Sequence, residues 1–248
     1  MKLESLQIII FDVDGVLVDV RQSFHRTLIQ TIEYFTGRRV TGAEIHEWKN
    51  RGGYNDDWKL SHAWIQSLGG KNSYEEIKEK FQEFYWGDKN TGNVSREKWL
   101  LPKATMRRLA KKHELALFTG RTHQELDYTL DRNGVRGFFR EIVTVESVKK
   151  PKPDPEGLRI LLKGRDPGVA LYLGDNIDDA RASQAAKVPF IGVLPYRSEA
   201  RRLRVGSLET LGALRVIGNV NQLESWIETR ARNAKHGRNA RPAAPPHR

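Results

Sequence analysis

Residues 8–19 read Ile8-Ile9-Ile10-Phe11-Asp12-Val13-Asp14-Gly15-Val16-Leu17-Val18-Asp19, and their reading decides the fold. An apolar run of β-branched and aromatic residues that breaks off at turn residues suits a buried strand of a parallel sheet, covered on both faces. Such sheets bind ligands beyond the carboxyl ends of their strands, so Asp12 and Asp14 stand where chemistry is done. Side chains alternate along a strand, which puts both carboxylates on one side with Val13 between them. Two like charges held that close repel unless a cation or a shared proton relieves them. An Asp-Gly turn after a strand produces the same letters without any chemistry. The rest of the chain has to decide between the two.

Outward from this stretch, five more short apolar runs, each closed by polar residues or glycine, predict strands at 115–119, 142–145, 169–174, 189–193 and 214–217. Helical periodicity fills the gaps at 103–112, 122–133, 155–163 and 179–186. Strands and helices alternating at this spacing predict an α/β fold, a doubly wound and mainly parallel, Rossmann-like sheet. The rhythm is broken once. Between the first strand and the second, helices are predicted at 22–35, 41–49, 58–67 and 74–85, with Phe24, Leu28, Thr31, Ile32 and Phe35 on one face of the first. Thr41 followed by Glu44 has the capping-box spacing of a helix start. The expected organisation is therefore an α/β core from residues 1–19 and 100–228, an inserted α-helical cap over 20–99, and a basic disordered tail over 229–248.

Composition bounds what such a chain does. At 248 residues, 38% hydrophobic and 29% charged, it has the balance of a globular protein able to bury a core. No apolar run reaches membrane-spanning length, and the start of the chain lacks the pattern of a signal peptide. Cysteine is absent, which excludes disulfides, thiol catalysis and thiolate metal sites; a reducing, cytoplasmic setting is expected. Of the net charge of +11, residues 228–248 carry six cations against one anion, or +5, leaving +6 for the rest. That modest excess suits steering of a small phosphorylated metabolite. Outside the tail the cations are scattered rather than striped, so no nucleic-acid partner is expected beyond weak contacts of the tail.

Four predicted strand ends bring polar groups to the same rim. The first carries Asp12 and Asp14. The second carries Thr119-Gly120-Arg121, a hydroxyl and free amides at a helix start, which is an anion site, although Thr119 or Thr122 would serve equally as an ordinary N-cap. The third is the loop Lys149-Lys150-Pro151-Lys152-Pro153-Asp154-Pro155, which on its own reads as a solvated basic loop. The fourth is Gly174-Asp175-Asn176-Ile177-Asp178-Asp179, an acidic cluster. Converging carboxylates ask for a hard divalent cation, and Mg²⁺ is the usual one. A lysine, a threonine and amides beside it ask for a phosphate, and the two together describe metal-assisted phosphoryl transfer.

In these four motifs and their order the chain resembles the haloacid dehalogenase superfamily, of the subfamily whose helical cap follows the first motif, as in phosphoglycolate phosphatases and β-phosphoglucomutases. The resemblance spans roughly residues 6–227. It implies that Asp12 is the nucleophile and forms an aspartyl-phosphate, and that Asp14 is the general acid and then the base for water. It implies that Thr119 and the Gly120 N–H bind phosphoryl oxygens, and that Mg²⁺ is held by Asp12, the backbone carbonyl of Asp14 and Asp175. Asp178 and Asp179 are then candidates for the outer shell. The family's lysine is followed six positions later by an apolar residue; counting from Lys152 reaches Leu158, counting from Lys150 reaches Glu156, so Lys152 is assigned.

The expected activity is hydrolysis of a small organic phosphate monoester by a monomer or homodimer. A phosphomutase sharing the four motifs is the alternative, and phosphonate hydrolysis through a cap lysine such as Lys49 is another. Substrate choice is expected in the cap loop at 49–58, with Arg51 and Asn55 as its candidate contacts.

Overall fold

The computed structural model describes residues 5–194 and 199–239. Its strands, in chain order, are β1 (Ile8–Phe11), β2 (Val18–Asp19), β3 (Lys98–Trp99), β4 (Glu114–Phe118), β5 (Glu141–Val143), β6 (Ala170–Gly174), β7 (Phe190–Val193) and β8 (Arg215–Ile217). Six of them form one parallel sheet in the order β5-β4-β1-β6-β7-β8. Alternation along the strands divides the core in two. Ile9, Phe11, Leu115, Leu117, Leu171 and Leu173 face one side, while Ile8, Ile10, Ala116, Phe118, Ala170 and Tyr172 face the other. Because helices cover both sides, the central strands are apolar throughout, and each buried isoleucine or leucine contributes roughly 2 kcal/mol. β4 and β6 flank β1 on opposite sides, so the order reverses at β1 and its carboxyl end opens on the crevice where such sheets bind ligands.

The other two strands, β2 and β3, pair antiparallel, Val18 with Trp99 and Asp19 with Lys98. They carry the chain out to, and back from, four helices: α1 (Phe24–Thr36), α2 (Gly42–Asn50), α3 (Asp57–Ser67) and α4 (Tyr74–Trp86). α1 packs on α3 and α4, and Thr41 with Glu44 closes the capping box that starts α2. Toward the sheet follow α5 (Lys103–Ala110), α6 (His123–Asn133), α7 (Glu156–Leu162), α8 (Ile177–Ala186), α9 (Glu199–Thr210) and α10 (Leu223–Asn239). No helix among the described residues is long and apolar enough to cross a membrane.

Besides the β2–β3 pair, two features depart from the sequence reading. α9, between β7 and β8, was not expected: its apolar positions are diluted by Arg201, Arg202 and Arg204, and Leu208 is its one buried residue among residues 201–210. The tail expected to be disordered from 229 is helical as far as Asn239. Leu223 is buried, and Trp226 and Ile227 pack on the core, so a nucleus exists and each added residue extends it cheaply with good helix formers such as Arg230, Ala231 and Arg232. Residues 240–248 of that expectation lie outside the described residues.

Candidate active site

Asp12 directly follows β1, and its N–H donates to the Leu173 carbonyl at 2.8 Å, so the ladder fixes its backbone. Its side chain is buried and Oδ1 accepts from Lys152 Nζ at 2.9 Å. Lys152, in the loop before α7, is equally buried. Its ammonium also reaches Asp179 Oδ1 at 2.7 Å, the Tyr172 hydroxyl at 3.2 Å and the Phe118 carbonyl at 3.3 Å. Lys150 is exposed, and among the described residues only its backbone N–H is engaged, with Glu156. Leu158 is buried beside Phe118 and anchors α7 to the sheet, which sets this register. Gly157 is required there, since a Cβ would lie 2.1 Å from the Phe118 ring.

Asp179, in the first turn of α8, is fully committed. Oδ1 accepts from Lys152 and, at 2.6 Å, from the Tyr172 hydroxyl, and Oδ2 accepts from the amides of Asp175 and Asn176. Asp175 keeps carboxylate oxygens for other partners: Asn176 donates to Oδ1 at 3.3 Å, and Arg204 stands 3.6 Å from Oδ2. Gly15, at φ +76°, lets the loop after Asp14 close on this group, because a Cβ there would fall 2.4 Å from Asp175 Oδ2. Asp178 turns instead to the helical side and accepts from the Gly53 N–H at 3.0 Å.

Thr119 is buried at the end of β4, and its hydroxyl accepts from the Arg121 N–H at 3.2 Å. The N-cap of α6 is Thr122, boxed with Glu125; Thr119 is thereby released from capping. Asn55 stands over Gly120, 3.1 Å from where its Cβ would be, and accepts from Asn176 Nδ2 at 3.1 Å. Arg51 does not reach this place. It is exposed, with its guanidinium 4.3 Å from the centre of the Trp48 ring. α2 runs through Asn50, so Arg51, expected at the substrate, falls just past the helix end and turns outward here. Lys49, four residues beyond the buried Ile45 and on the same face, turns inward instead.

These groups surround a cavity of about 230 Å³ between the sheet rim and the helices, lined by Asp12, Asp14, Thr119, Lys152 and Asp175 on one side and by His25, His46, Lys49, Asn55 and Trp58 on the other. Sequence reading missed His25, His46, Arg204 and the partner of Lys49, Asp57 at 2.8 Å. His25, His46 and Arg204 stand in no motif, and Asp57 lies in the 49–58 loop, where it was quoted without a role. It quoted Arg121 without a role, although this wholly buried guanidinium holds Asp14 through bonds of 2.9 and 2.6 Å to Oδ1.

The electrostatics follow from burial. Desolvation pushes Asp12 well above the ordinary carboxylate range; Lys152 opposes this, while Asp179, Asp14 and Asp175 add to it. Burial likewise raises Asp175 to about 6 against the pull of Arg204. Burial alone would lower Lys152, but Asp12 and Asp179 overcome it and hold the ammonium above the usual lysine range. One ammonium thus serves two carboxylates with a third beside them, and the ligand oxygens of Asp12, Asp175 and Asp179 lie within 4.8 Å of one another. That surplus of negative charge and hard oxygen donors fits a divalent cation. Since both oxygens of Asp179 are occupied, Asp12 and Asp175 are the carboxylates with room for it. On the helical side burial drives His25 well below and His46 down to about 4, with Lys49 and Arg204 pushing both the same way.

Residues 9–193 match the family model of haloacid dehalogenase-like hydrolases. The chain is 31% identical over 207 residues to an imidazoleglycerol-phosphate dehydratase of Phytophthora nicotianae, a match covering 80% of this chain but only 45% of that protein. It is 28% identical to phosphoglycolate phosphatase 1 of Pseudomonas aeruginosa, covering 73% of this chain and 67% of the relative. Among solved structures, a predicted phosphoglycolate phosphatase from Haemophilus somnus superimposes with a TM-score of 0.72 over 90% of this chain and 98% of the other, at 18% identity. At that identity the likeness speaks for the fold.

Proposed function

Since the chain belongs to the haloacid dehalogenase-like hydrolases, we propose that it hydrolyses a small organic phosphate monoester by way of an aspartyl-phosphate on Asp12. The observation that carries this reading is the state of Asp12: a buried carboxylate at the end of the central strand, fixed through Oδ1 by Lys152, with Oδ2 left for an incoming phosphorus. Asp12 Oδ2 attacks phosphorus, the bond to the ester oxygen breaks, and Asp14 supplies the proton that the departing alkoxide needs. Asp14 then takes a proton from water as that water attacks the aspartyl-phosphate, which returns Asp12 and releases phosphate. Lys152 offsets charge on Asp12 and on the transferring group, and Thr119 with the Gly120 N–H holds phosphoryl oxygens. Asp12, Asp175 and the backbone carbonyl of Asp14 would hold Mg²⁺, with Asp179 in its outer shell; bound there, the ion screens the carboxylate from an anionic substrate. Lys49 does not favour phosphonate hydrolysis, because an imine-forming lysine has to be neutral and Asp57 holds this one above its usual range against the effect of burial.

The test is free phosphate released from a panel of metabolite phosphates, phosphoglycolate and sugar phosphates among them, with Mg²⁺ and with a chelator, while isomers are measured in parallel. Mg²⁺-dependent phosphate release is expected. Isomer formation without phosphate would turn the assignment to a phosphomutase, and release that survives the chelator would remove the metal.

A further inference from the structure

Arg121 is among the largest of the wholly buried side chains of the described residues, and its bonds lead from the reaction site to the junction between sheet and helices. Nε and Nη2 both donate to Asp14 Oδ1, at 2.9 and 2.6 Å. Nη2 and Nη1 also grip Glu97, at 2.7 Å to Oε1 and 3.1 Å to Oε2, and Nη1 donates to Thr129 Oγ1 at 2.6 Å. Glu97 immediately precedes β3 and is itself held by the Tyr85 hydroxyl of α4 at 3.1 Å and by Thr129 at 2.7 Å. Phe24, the first residue of α1, lies over the guanidinium at 5.0 Å and stacks on Tyr85.

A buried ion network of this size is weak evidence of stabilisation, since well-packed apolar side chains often serve as well. What it supplies is position. A planar fork that donates twice to one oxygen fixes the direction of a carboxylate in a way that a point charge does not. Both bonds fall on Oδ1, so Oδ2 of Asp14 is left for the substrate, and the Asp14 side chain is 32% exposed while its anchor is sealed at 0%. We propose that Arg121 is a positioning residue that aims Asp14 at the leaving-group oxygen, with Glu97 and Thr129 holding the guanidinium in register with the strands that join helices to sheet. This rests on the reading of Asp14 as the proton donor.

The experiment measures kcat/KM for phosphate esters whose leaving groups run from 4-nitrophenol to simple alcohols, in the wild type, Arg121→Lys, Thr129→Val and Asp14→Asn. Poor leaving groups need the proton and good ones do not, so a misaimed acid selectively slows alkyl esters. Arg121→Lys should lose about a hundredfold on alkyl phosphates and no more than about threefold on 4-nitrophenyl phosphate, the scale of a displacement near 1 Å. Thr129→Val removes one support of the guanidinium without touching the cavity. It should steepen the dependence slightly, by about threefold across the series, and it carries the test alone if Arg121→Lys fails to fold. A uniform loss across all esters in these variants, with a steep Asp14→Asn profile, overturns the role of Arg121 and spares the acid. A flat Asp14→Asn profile overturns both.

Discussion

Lys152 and Lys49 face the same cavity from opposite sides, and both end in an ion pair away from bulk water. Lys152 is 1% exposed and bonds to Asp12, Asp179, Tyr172 and the Phe118 carbonyl, groups carried by β1, β4, β6 and α8. Lys49 is 20% exposed and meets one carboxylate, Asp57 of the neighbouring helix, whose Oδ1 gains a close ion contact but no well-directed hydrogen bond. The sheet side is over-determined, so its geometry stands before any substrate arrives, as charge stabilisation in a transition state requires. On the helical side Lys49 has a single carboxylate partner and keeps part of its side chain open. On the function proposed above, reaction chemistry belongs with the first arrangement and selection with the second.

The comparison breaks most readily at Asp12. Asp12→Asn should lower turnover by more than about 10⁴-fold, as expected for loss of a nucleophile. Melting temperature should hold or rise, because burial of the charge, and after it repulsion from Asp179, Asp14 and Asp175, pushes this carboxylate upward, and the neutral amide avoids both. Phosphate release with thermal denaturation run in parallel checks both halves. Turnover close to wild type would move the nucleophile elsewhere.

Lys152→Met comes next. A charge-assisted contact to the transferring phosphoryl group should be worth about a hundredfold in rate, while Lys150→Ala, on an exposed residue with no side-chain partner among the described residues, should stay within about twofold. A larger loss at Lys150 would place the register of the proline loop two residues out. Lys49→Met sharpens the other half of the comparison. It should cost about tenfold in kcat/KM on the preferred metabolite and about twofold on 4-nitrophenyl phosphate, since contacts to the non-reacting part of a substrate matter only where that part is present. Equal losses on both would make Lys49 part of the phosphoryl site.

What could be read from sequence follows the same division. Asp12, Thr119 and Asp175 each follow directly on a strand whose neighbours pack on both faces, so a local apolar run was enough to place them. Lys152 needed one more step, the phase of Leu158 along α7. Arg121 was visible as a letter but not as a hub, because its partners Asp14, Glu97 and Thr129 are brought to it by the fold from distant parts of the chain. β2 and β3, two residues each, are too short to show any period. Among the helices over the cavity the elements were legible, and so was the packed face of α1, but the loop at 49–58 was not, since a stretch of mixed charge gives no phase by which to sort its residues.

Arg51 is the smallest expected effect and the sharpest test of that last point. It lies two residues beyond Lys49, about 200° further round a helix, and the chain has left α2 by then. Its guanidinium rests on the Trp48 ring in contact with solvent, where a cation–π contact is worth about 0.5–1 kcal/mol. Trp48 in turn stacks on the buried Trp64, so the contact ties a loop end to the packed helices and leads away from the cavity. Arg51→Ala should therefore lower stability by up to about 1 kcal/mol and leave kcat/KM within about twofold on metabolite and aryl phosphate alike. A selective loss on the metabolite that matched or exceeded that of Lys49→Met would mean that the loop turns over when substrate binds, and that the inward and outward faces described here exchange in the working enzyme.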